Sequence, residues 1–175
     1  MTPKKKTAAS SKKSGKEPKS APKKAPKIGD TKKSRIAVLI ADDHSVVREG
    51  LVSLITRKTD MTVIGEASNG REAVDLWKKH HPDVTLLDLR MPELDGVGAL
   101  KEIRGNDDKA RIIVLTTFDG DEDIYRAIQA GAKGYLLKDA PREALMDCIR
   151  RVHAGEPACR CISRPNSRNA SAAKP

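Results

Sequence analysis

The fold can be inferred by starting from residues 35–44, which read RIAVLIADDH. RIAVLIA (35–41) is a short, continuous apolar run with β-branched residues, which is typical of a strand buried on both faces. Two acids, Asp42 and Asp43, follow at the point where that strand ends. Strands buried on both faces occur in parallel sheets covered by helices, so this stretch predicts such a sheet.

Further strand patterns follow, and each is separated from the next by a helical pattern. The strands are predicted at MTVIGEA (61–67), DVTLLDL (83–89), RIIVLTT (111–117) and GYLL (134–137). The spacing of Asn69 and Glu72 predicts a capping box at the start of one helix. Pro141 is predicted to open the last helix. Five strands alternating with five helices predict an α/β fold: a doubly wound five-stranded parallel sheet, flavodoxin-like (βα)5, with strand order 2-1-3-4-5.

The net charge of the chain is concentrated at its N-terminal end. Residues 1–33 hold 12 lysines and two acids, a charge of +10, whereas residues 34–175 hold 22 basic and 22 acidic side chains. Residues 1–33 are rich in Lys, Pro, Ala and Ser, and they contain too little apolar surface to offset the entropy of ordering. They are therefore predicted to be a disordered basic tail. Residues 154–175 lack periodicity and are predicted to be an irregular C-terminal tail.

Several classes of protein are excluded by composition. The longest aliphatic run is Ile36 to Ala41, far shorter than the ~20 residues of a membrane helix. No secretory apolar region follows the N-terminal lysines. Three cysteines, an odd number, do not make a disulfide framework. The prediction is a cytoplasmic protein that makes no membrane contact.

Polar residues stand where the predicted strands end. Asp42 and Asp43 follow the first strand and Asp88 ends the third, while Thr116 and Lys138 belong to the ends of the fourth and fifth. Three carboxylates at one sheet edge repel one another unless a cation shares the site, and oxygen ligands of this kind suit Mg²⁺. A hydroxyl and an ammonium group suit a phosphoryl group. The pattern predicts a Mg²⁺-assisted phosphoryl site with a carboxylate nucleophile.

Other sites known in this type of fold lack their motifs here. A dinucleotide site requires G-x-G-x-x-G after the first strand, but the residues are ADDHSVV, with no glycine before Gly50. A phosphate-binding P-loop is also missing. The four histidines are scattered, and Cys159-x-Cys161 is a weak zinc signal.

Four motifs occur in order: ADDH (41–44), LLDLRMPELDG (86–96), VLTTF (114–118) and AGAKGYLLKDA (130–140). Together they closely resemble the receiver domain of bacterial two-component response regulators, most closely the NarL/FixJ branch. The resemblance covers residues 35–153, which we predict to be the receiver domain.

The resemblance implies which residues accept the phosphoryl group and hold the metal. Asp88 would be the phosphoacceptor. Asp42, Asp43, Asp88 and the backbone carbonyl of Arg90 would hold Mg²⁺, and Gly96 would let the chain turn after the acceptor. From the residues alone, Asp42 could instead cap a helix.

The resemblance also implies how phosphorylation is sensed. Thr116 and Lys138 would stabilise the phosphoryl group, and Thr116 and Tyr135 would form a switch. Without the resemblance, Lys138 could be an exposed loop lysine and Tyr135 a simple core aromatic. A sensor histidine kinase would be the donor, and the domain would not be an enzyme beyond its own phosphorylation and dephosphorylation. The output face would comprise the fourth helix, marked by Ile124, Ala127 and Ile128, with the fifth strand (134–137) and the last helix, and it would bind a downstream protein or a second copy.

The output activity has three alternative interpretations. Members of this branch usually continue into a LuxR-type helix-turn-helix, which residues 154–175 do not resemble. A stand-alone receiver is one interpretation, and a truncated or frameshifted DNA-binding transcription regulator is another. The third is a DNA-associated accessory protein whose basic tail contacts DNA without sequence preference. The contacting residues would be Lys4, Lys5, Lys6, Lys12, Lys13, Lys23 and Lys24. An unrelated Mg²⁺ phosphohydrolase is a more distant alternative.

Overall fold

A computed structural model of the chain describes residues 35–117 and 121–156. The strands are β1 (Ile36–Ala41), β2 (Met61–Ala67), β3 (Val84–Asp88), β4 (Ile112–Thr116) and β5 (Gly134–Leu137). The helices are α1 (Ser45–Thr56), α2 (Gly70–His80), α3 (Gly96–Asn106), α4 (Asp121–Gln129) and α5 (Arg142–His153). All neighbouring strands are parallel and lie in the order β2-β1-β3-β4-β5, so the predicted fold is confirmed.

The sheet buries an apolar layer on each face. Successive side chains of a strand point to opposite faces, so Leu39 belongs to one layer and Ile40 to the other. The first layer packs against α2 and α3 through Trp77 and Leu100. The second packs against α1 and α5 through residues that include Ile55 and Ile149. Each large aliphatic side chain buried in this way contributes about 1.5–3 kcal/mol, which holds the carboxyl ends of the strands in place.

The predicted helix starts are confirmed, with local differences. Asn69 Oδ1 accepts a hydrogen bond from the Glu72 amide at 2.8 Å. The Glu72 carboxylate reaches the amide of Ser68 at 2.8 Å, so the return bond of the capping box falls one residue earlier than in the usual motif. Pro141 is the N-cap of α5, and the helix itself begins at Arg142.

Gly96 is needed for a reason other than the predicted one. A Cβ atom on Gly96 would lie 2.1 Å from the carbonyl oxygen of Asp88 and 2.7 Å from Cα of Leu89. The left-handed residue of this loop is Glu93, with φ of 65°. The chain does fold back at Gly96, whose amide donates to the Leu89 carbonyl at 2.9 Å, but through close approach and not through a positive φ: the missing side chain lets α3 begin directly against the end of β3.

The two predicted tails fall almost entirely beyond this description. Residues 1–33, with the seven lysines proposed to contact DNA, and residues 157–175 lie outside the described residues. Among the helices within 35–117 and 121–156, none is long and apolar enough to cross a membrane.

Candidate functional site

The predicted site residues converge at the carboxyl edge of the sheet. Asp42 and Asp43 follow β1, Asp88 is the last residue of β3 and Thr116 the last of β4, and Lys138 directly follows β5. Strands β1 and β3 are neighbours although β2 lies between them in the chain. The sheet order therefore reverses beside the aspartates, which is where open α/β sheets place their ligands.

Lys138 bridges two buried carboxylates. Its Nζ lies 2.7 Å from Asp88 Oδ2 and 2.8 Å from Asp42 Oδ2. The side chains of Asp42, Asp88 and Lys138 are 0%, 4% and 8% exposed. Asp42 Oδ2 has no hydrogen bond of good geometry with the described residues, so its ion pair with Lys138 is its neutralising contact. Lys138 is therefore not an exposed loop lysine.

Burial and charge act in opposition on this trio. Burial raises the pKa of Asp88 above its ordinary value, with a smaller rise from the charge of Asp42, while Lys138 and the Arg90 amide oppose the rise. Burial disfavours the ammonium form of Lys138, but its hydrogen bonds and charge contacts with Asp42 and Asp88 raise the pKa of Lys138. Lys138 therefore keeps its proton. The carboxyl groups of Asp42, Asp43 and Asp88 outnumber this single ammonium group.

His44 lies against the aspartates. Its Nδ1 is 2.8 Å from Asp43 Oδ1 and 3.3 Å from Asp42 Oδ1. Its backbone amide donates to Asp42 Oδ1 at 2.9 Å. His44, not Asp42, is the N-cap of α1, so the alternative in which Asp42 caps that helix is wrong. No sequence pattern signals this side-chain contact, apart from the position of His44 at the start of the helix.

The residues present fit a divalent cation. Ligand atoms of Asp42, Asp43, His44 and Asp88 all lie within 4.8 Å of one another. Carboxylate oxygens are the protein ligands that Mg²⁺ prefers, and excess negative charge at a buried position favours a second cation. For Arg90, the structure shows an amide that donates to Asp88 Oδ1 at 3.3 Å. The assignment of its carbonyl as a metal ligand stays a prediction.

Thr116 and Tyr135 occupy buried positions beside this site. Thr116 is buried, and its carbonyl accepts the Lys138 amide at 2.8 Å, which ties the ends of β4 and β5 together. Tyr135 is buried in the apolar layer that includes Val114 and Ala127. Its inward position is that of a core aromatic residue, and the predicted switch stays a prediction.

Arg48 is a supporting residue that the sequence analysis missed. Its guanidinium donates to the backbone carbonyl of Asp42 at 2.6 Å and lies 3.5 Å from the Glu66 carboxylate. These contacts join α1 and β2 to the loop that carries Asp42. An arginine six residues after an aspartate has no recognisable pattern, so only the folded chain reveals its role.

The family model for the response regulator receiver domain matches residues 38–150. The chain belongs to the response regulator receiver domain family. This confirms the resemblance found in the motifs, and the matched span contains every site residue described above.

The receiver domain is similar to parts of longer regulators. It is 51% identical over 108 residues to the transcriptional regulatory protein YdfI of Bacillus subtilis, covering 62% of this chain and 50% of that protein. It is 40% identical over 119 residues to the nitrate/nitrite response regulator protein NarL of Escherichia coli, covering 68% of this chain and 55% of that protein.

A solved structure shows the same fold. A two-component response regulator of the LuxR family from Aurantimonas superposes with a TM-score of 0.68 at 35% identity, covering 71% of this chain and 89% of that one.

Proposed function

We propose that Asp88 accepts a phosphoryl group from a sensor histidine kinase in a phosphorelay. The observation that carries this proposal is a buried carboxylate at the end of β3 whose Oδ2 lies 2.7 Å from the Lys138 ammonium. The Arg90 amide holds the other oxygen, so the nucleophile is oriented before a donor arrives. Such preorganisation removes part of the entropic cost of the reaction.

The transfer requires one bond to form and one to break. A carboxylate oxygen of Asp88 attacks the phosphorus, and the phosphorus–nitrogen bond of the phosphohistidine breaks, with the electron pair leaving on the imidazole. Lys138 offsets negative charge on the phosphoryl oxygens, and the Thr116 hydroxyl donates to one of them. Asp42, Asp43, Asp88 and the Arg90 carbonyl would hold Mg²⁺, which would supply further charge neutralisation when bound.

The added phosphoryl group would change the contacts of Lys138. It competes with Asp42 and Asp88 for the same ammonium, and the Lys138 amide is bonded to Thr116 at the end of β4. Movement of Lys138 and Thr116 toward the phosphoryl group would shift the conformational equilibrium of the face formed by α4, β5 and α5. Tyr135 would be coupled to this shift. On α4, Tyr125 and Ile128 are 62% and 40% exposed. This apolar surface supports binding of a downstream protein or a second copy.

Labelling of the purified chain tests the acceptor. With acetyl phosphate or a phosphorylated kinase and Mg²⁺, we expect the wild type to gain a hydroxylamine-sensitive acyl phosphate and Asp88→Asn to gain none. Asp95→Asn is the matched control, because Asp95 is exposed and caps α3, a role that asparagine can also fill. Equal labelling of wild type and Asp88→Asn would show that the acceptor is another residue.

The proposed domain is a signalling module and not a turnover enzyme. Its reactions are its own phosphorylation and the hydrolysis of its own acyl phosphate. We expect no sustained turnover of a phosphomonoester such as p-nitrophenyl phosphate. Multiple turnovers that Asp88→Asn abolishes would instead favour the phosphohydrolase alternative.

The organisation and location of the chain are part of the proposal. We assign residues 35–153 to the receiver, in the cytoplasm, and residues 1–33 and 154–175 to tails. The 12 lysines of residues 1–33 favour a second role in non-specific DNA binding. If those lysines meet phosphates, the logarithm of the affinity should fall with the logarithm of salt concentration by about 0.9 per contact. A flat salt dependence would exclude this role.

A further inference from the structure

We propose that His44 supplies a nitrogen ligand to the cation site, so that the site binds divalent transition metal ions as well as Mg²⁺. The inference rests on the proposed cation site of Asp42, Asp43 and Asp88. His44 would add a nitrogen ligand to a set of carboxylates. This addition would change which metal ions the site selects.

The imidazole of His44 lies close to the carboxylates of the proposed cation site. His44 Nδ1 lies 2.8 Å from Asp43 Oδ1, and the ligand atoms of the four-residue cluster all lie within 4.8 Å of one another. When two ligand atoms bind an ion from opposite sides at about 2.1 Å each, they lie about 4.2 Å apart. The nitrogen can therefore reach bonding distance with sub-ångström adjustments.

The backbone of His44 is fixed by two hydrogen bonds, while its imidazole contacts Asp42 and Asp43. Its amide donates to Asp42 Oδ1 at 2.9 Å, and its carbonyl accepts the Arg48 amide at 3.0 Å. Although His44 is the N-cap residue of α1, its side chain makes no capping hydrogen bond. The side chain is 61% exposed, so it can turn onto an ion without disturbing the core.

Imidazole nitrogen and carboxylate oxygen favour different metal ions. Mg²⁺ prefers oxygen ligands and retains waters, so an imidazole adds little to its binding. Transition metal ions accept imidazole nitrogen together with carboxylate oxygen. A mixed set therefore raises the affinity for transition metals relative to Mg²⁺. A histidine that only orients Asp43 by hydrogen bonding would instead affect both kinds of ion alike.

Mn²⁺ is the probe, because it is paramagnetic and binds to carboxylates. The full chain would be titrated with Mn²⁺ by electron paramagnetic resonance and with Mg²⁺ by calorimetry. The variants are His44→Gln and Asp43→Ala, with His80→Gln as the control because His80 is exposed on α2. We expect an imidazole ¹⁴N modulation of the Mn²⁺ spin echo in wild type and His80→Gln, and its loss in His44→Gln.

The affinities give a second, independent readout. We expect His44→Gln to weaken Mn²⁺ binding more than Mg²⁺ binding, which should change less than about twofold because Mg²⁺ prefers oxygen ligands. Equal weakening of both ions would overturn the inference in favour of an orienting role. Mn²⁺ that binds in an Asp43-dependent manner without a nitrogen signal would also overturn it.

Failure of this inference can be told apart from failure of the proposed function. If Mg²⁺-dependent labelling of Asp88 persists in wild type while the nitrogen signal is absent, only the role of His44 is wrong. If neither ion binds in an Asp43-dependent manner, the cation site itself is wrong, and the inference is overturned with it.

Discussion

Two clusters of three charged side chains have similar contact distances but differ in burial, and burial changes how these contacts affect the pKa of the carboxyl groups. At the sheet edge, the Lys138 ammonium lies between the carboxylates of Asp42 and Asp88 at 2.8 and 2.7 Å. On the surface of α2 and α3, the Glu102 carboxylate lies between Arg71 and Lys78 at 2.8 and 3.0 Å. The distances match, but the surface side chains are between 32% and 51% exposed.

The two clusters respond to their surroundings in opposite ways. The hydrogen bond from Lys78, followed by the contacts of Arg71, lowers the pKa of Glu102. Burial raises the pKa of Asp88 although a lysine touches it. Water screens the surface cluster and makes it energetically mild. At the sheet edge, water is excluded and one lysine does not neutralise all of the negative charge. Such a site favours binding of a cation, including one that accompanies a phosphoryl group.

The largest expected effect comes from removing the buried cation. Lys138→Ala leaves two buried carboxylates without the ammonium group that bridges them, and we expect the free energy of unfolding at neutral pH in EDTA to fall by about 3 kcal/mol. The loss should shrink as the pH falls, because protonation removes the repulsion. Some labelling of Asp88 should remain, with a weaker switch. Chemical denaturation measures the stability, and Lys101→Ala, on the exposed face of α3, should change it little. A loss no greater than that of the control would show that Lys138 is not needed to neutralise the pair.

The next effect is the pH dependence of Asp88. Because the pKa of Asp88 is raised in the folded state, the protonated form stabilises the fold, and this stabilisation is lost as the pH rises from 3.8 through the folded-state pKa. Asp88→Asn should therefore become more stable than wild type as the pH rises above 3.8. The gap should widen until the pH passes the folded-state pKa and then stay constant to pH 7 in EDTA. Denaturation curves from pH 3 to pH 8 measure it, and a gap of the opposite sign would contradict the assigned cause.

The smallest effect belongs to the surface cluster. Because the pKa of Glu102 is lowered, its stabilisation is present above 4.5 and is lost as the pH falls through the folded-state pKa. Glu102→Gln should be slightly less stable than wild type at pH 7, by no more than about 2 °C in melting temperature. The difference should vanish in 1 M salt, where screening acts over about 3 Å. A stability difference that persists in 1 M salt would show that the Glu102 contacts behave like those of a buried cluster.

Much of the site could be predicted because its residues end successive strands. Asp88 and Thr116 are at the ends of apolar runs, and parallel strands bring such ends to one edge. The side-chain partners could not be predicted, because Arg48 and His44 reach the site through turns and helix geometry that have no sequence period. The reason for Gly96 was also missed, since it depends on the close approach of α3 to β3.

The order of strands and helices along the chain could be read from the sequence alone, because the alternation of apolar runs is a local property. The four motifs at the strand ends identified the family of the domain. The sequence also indicated which residues stand at the strand ends. The folded chain was needed to show that Lys138 bridges Asp42 and Asp88 within the buried edge, that His44 lies against Asp43, and that Arg48 supports their loop. Those contacts join residues distant along the chain or set by helix geometry, and desolvation acts on them only after the sheet and helices have packed together.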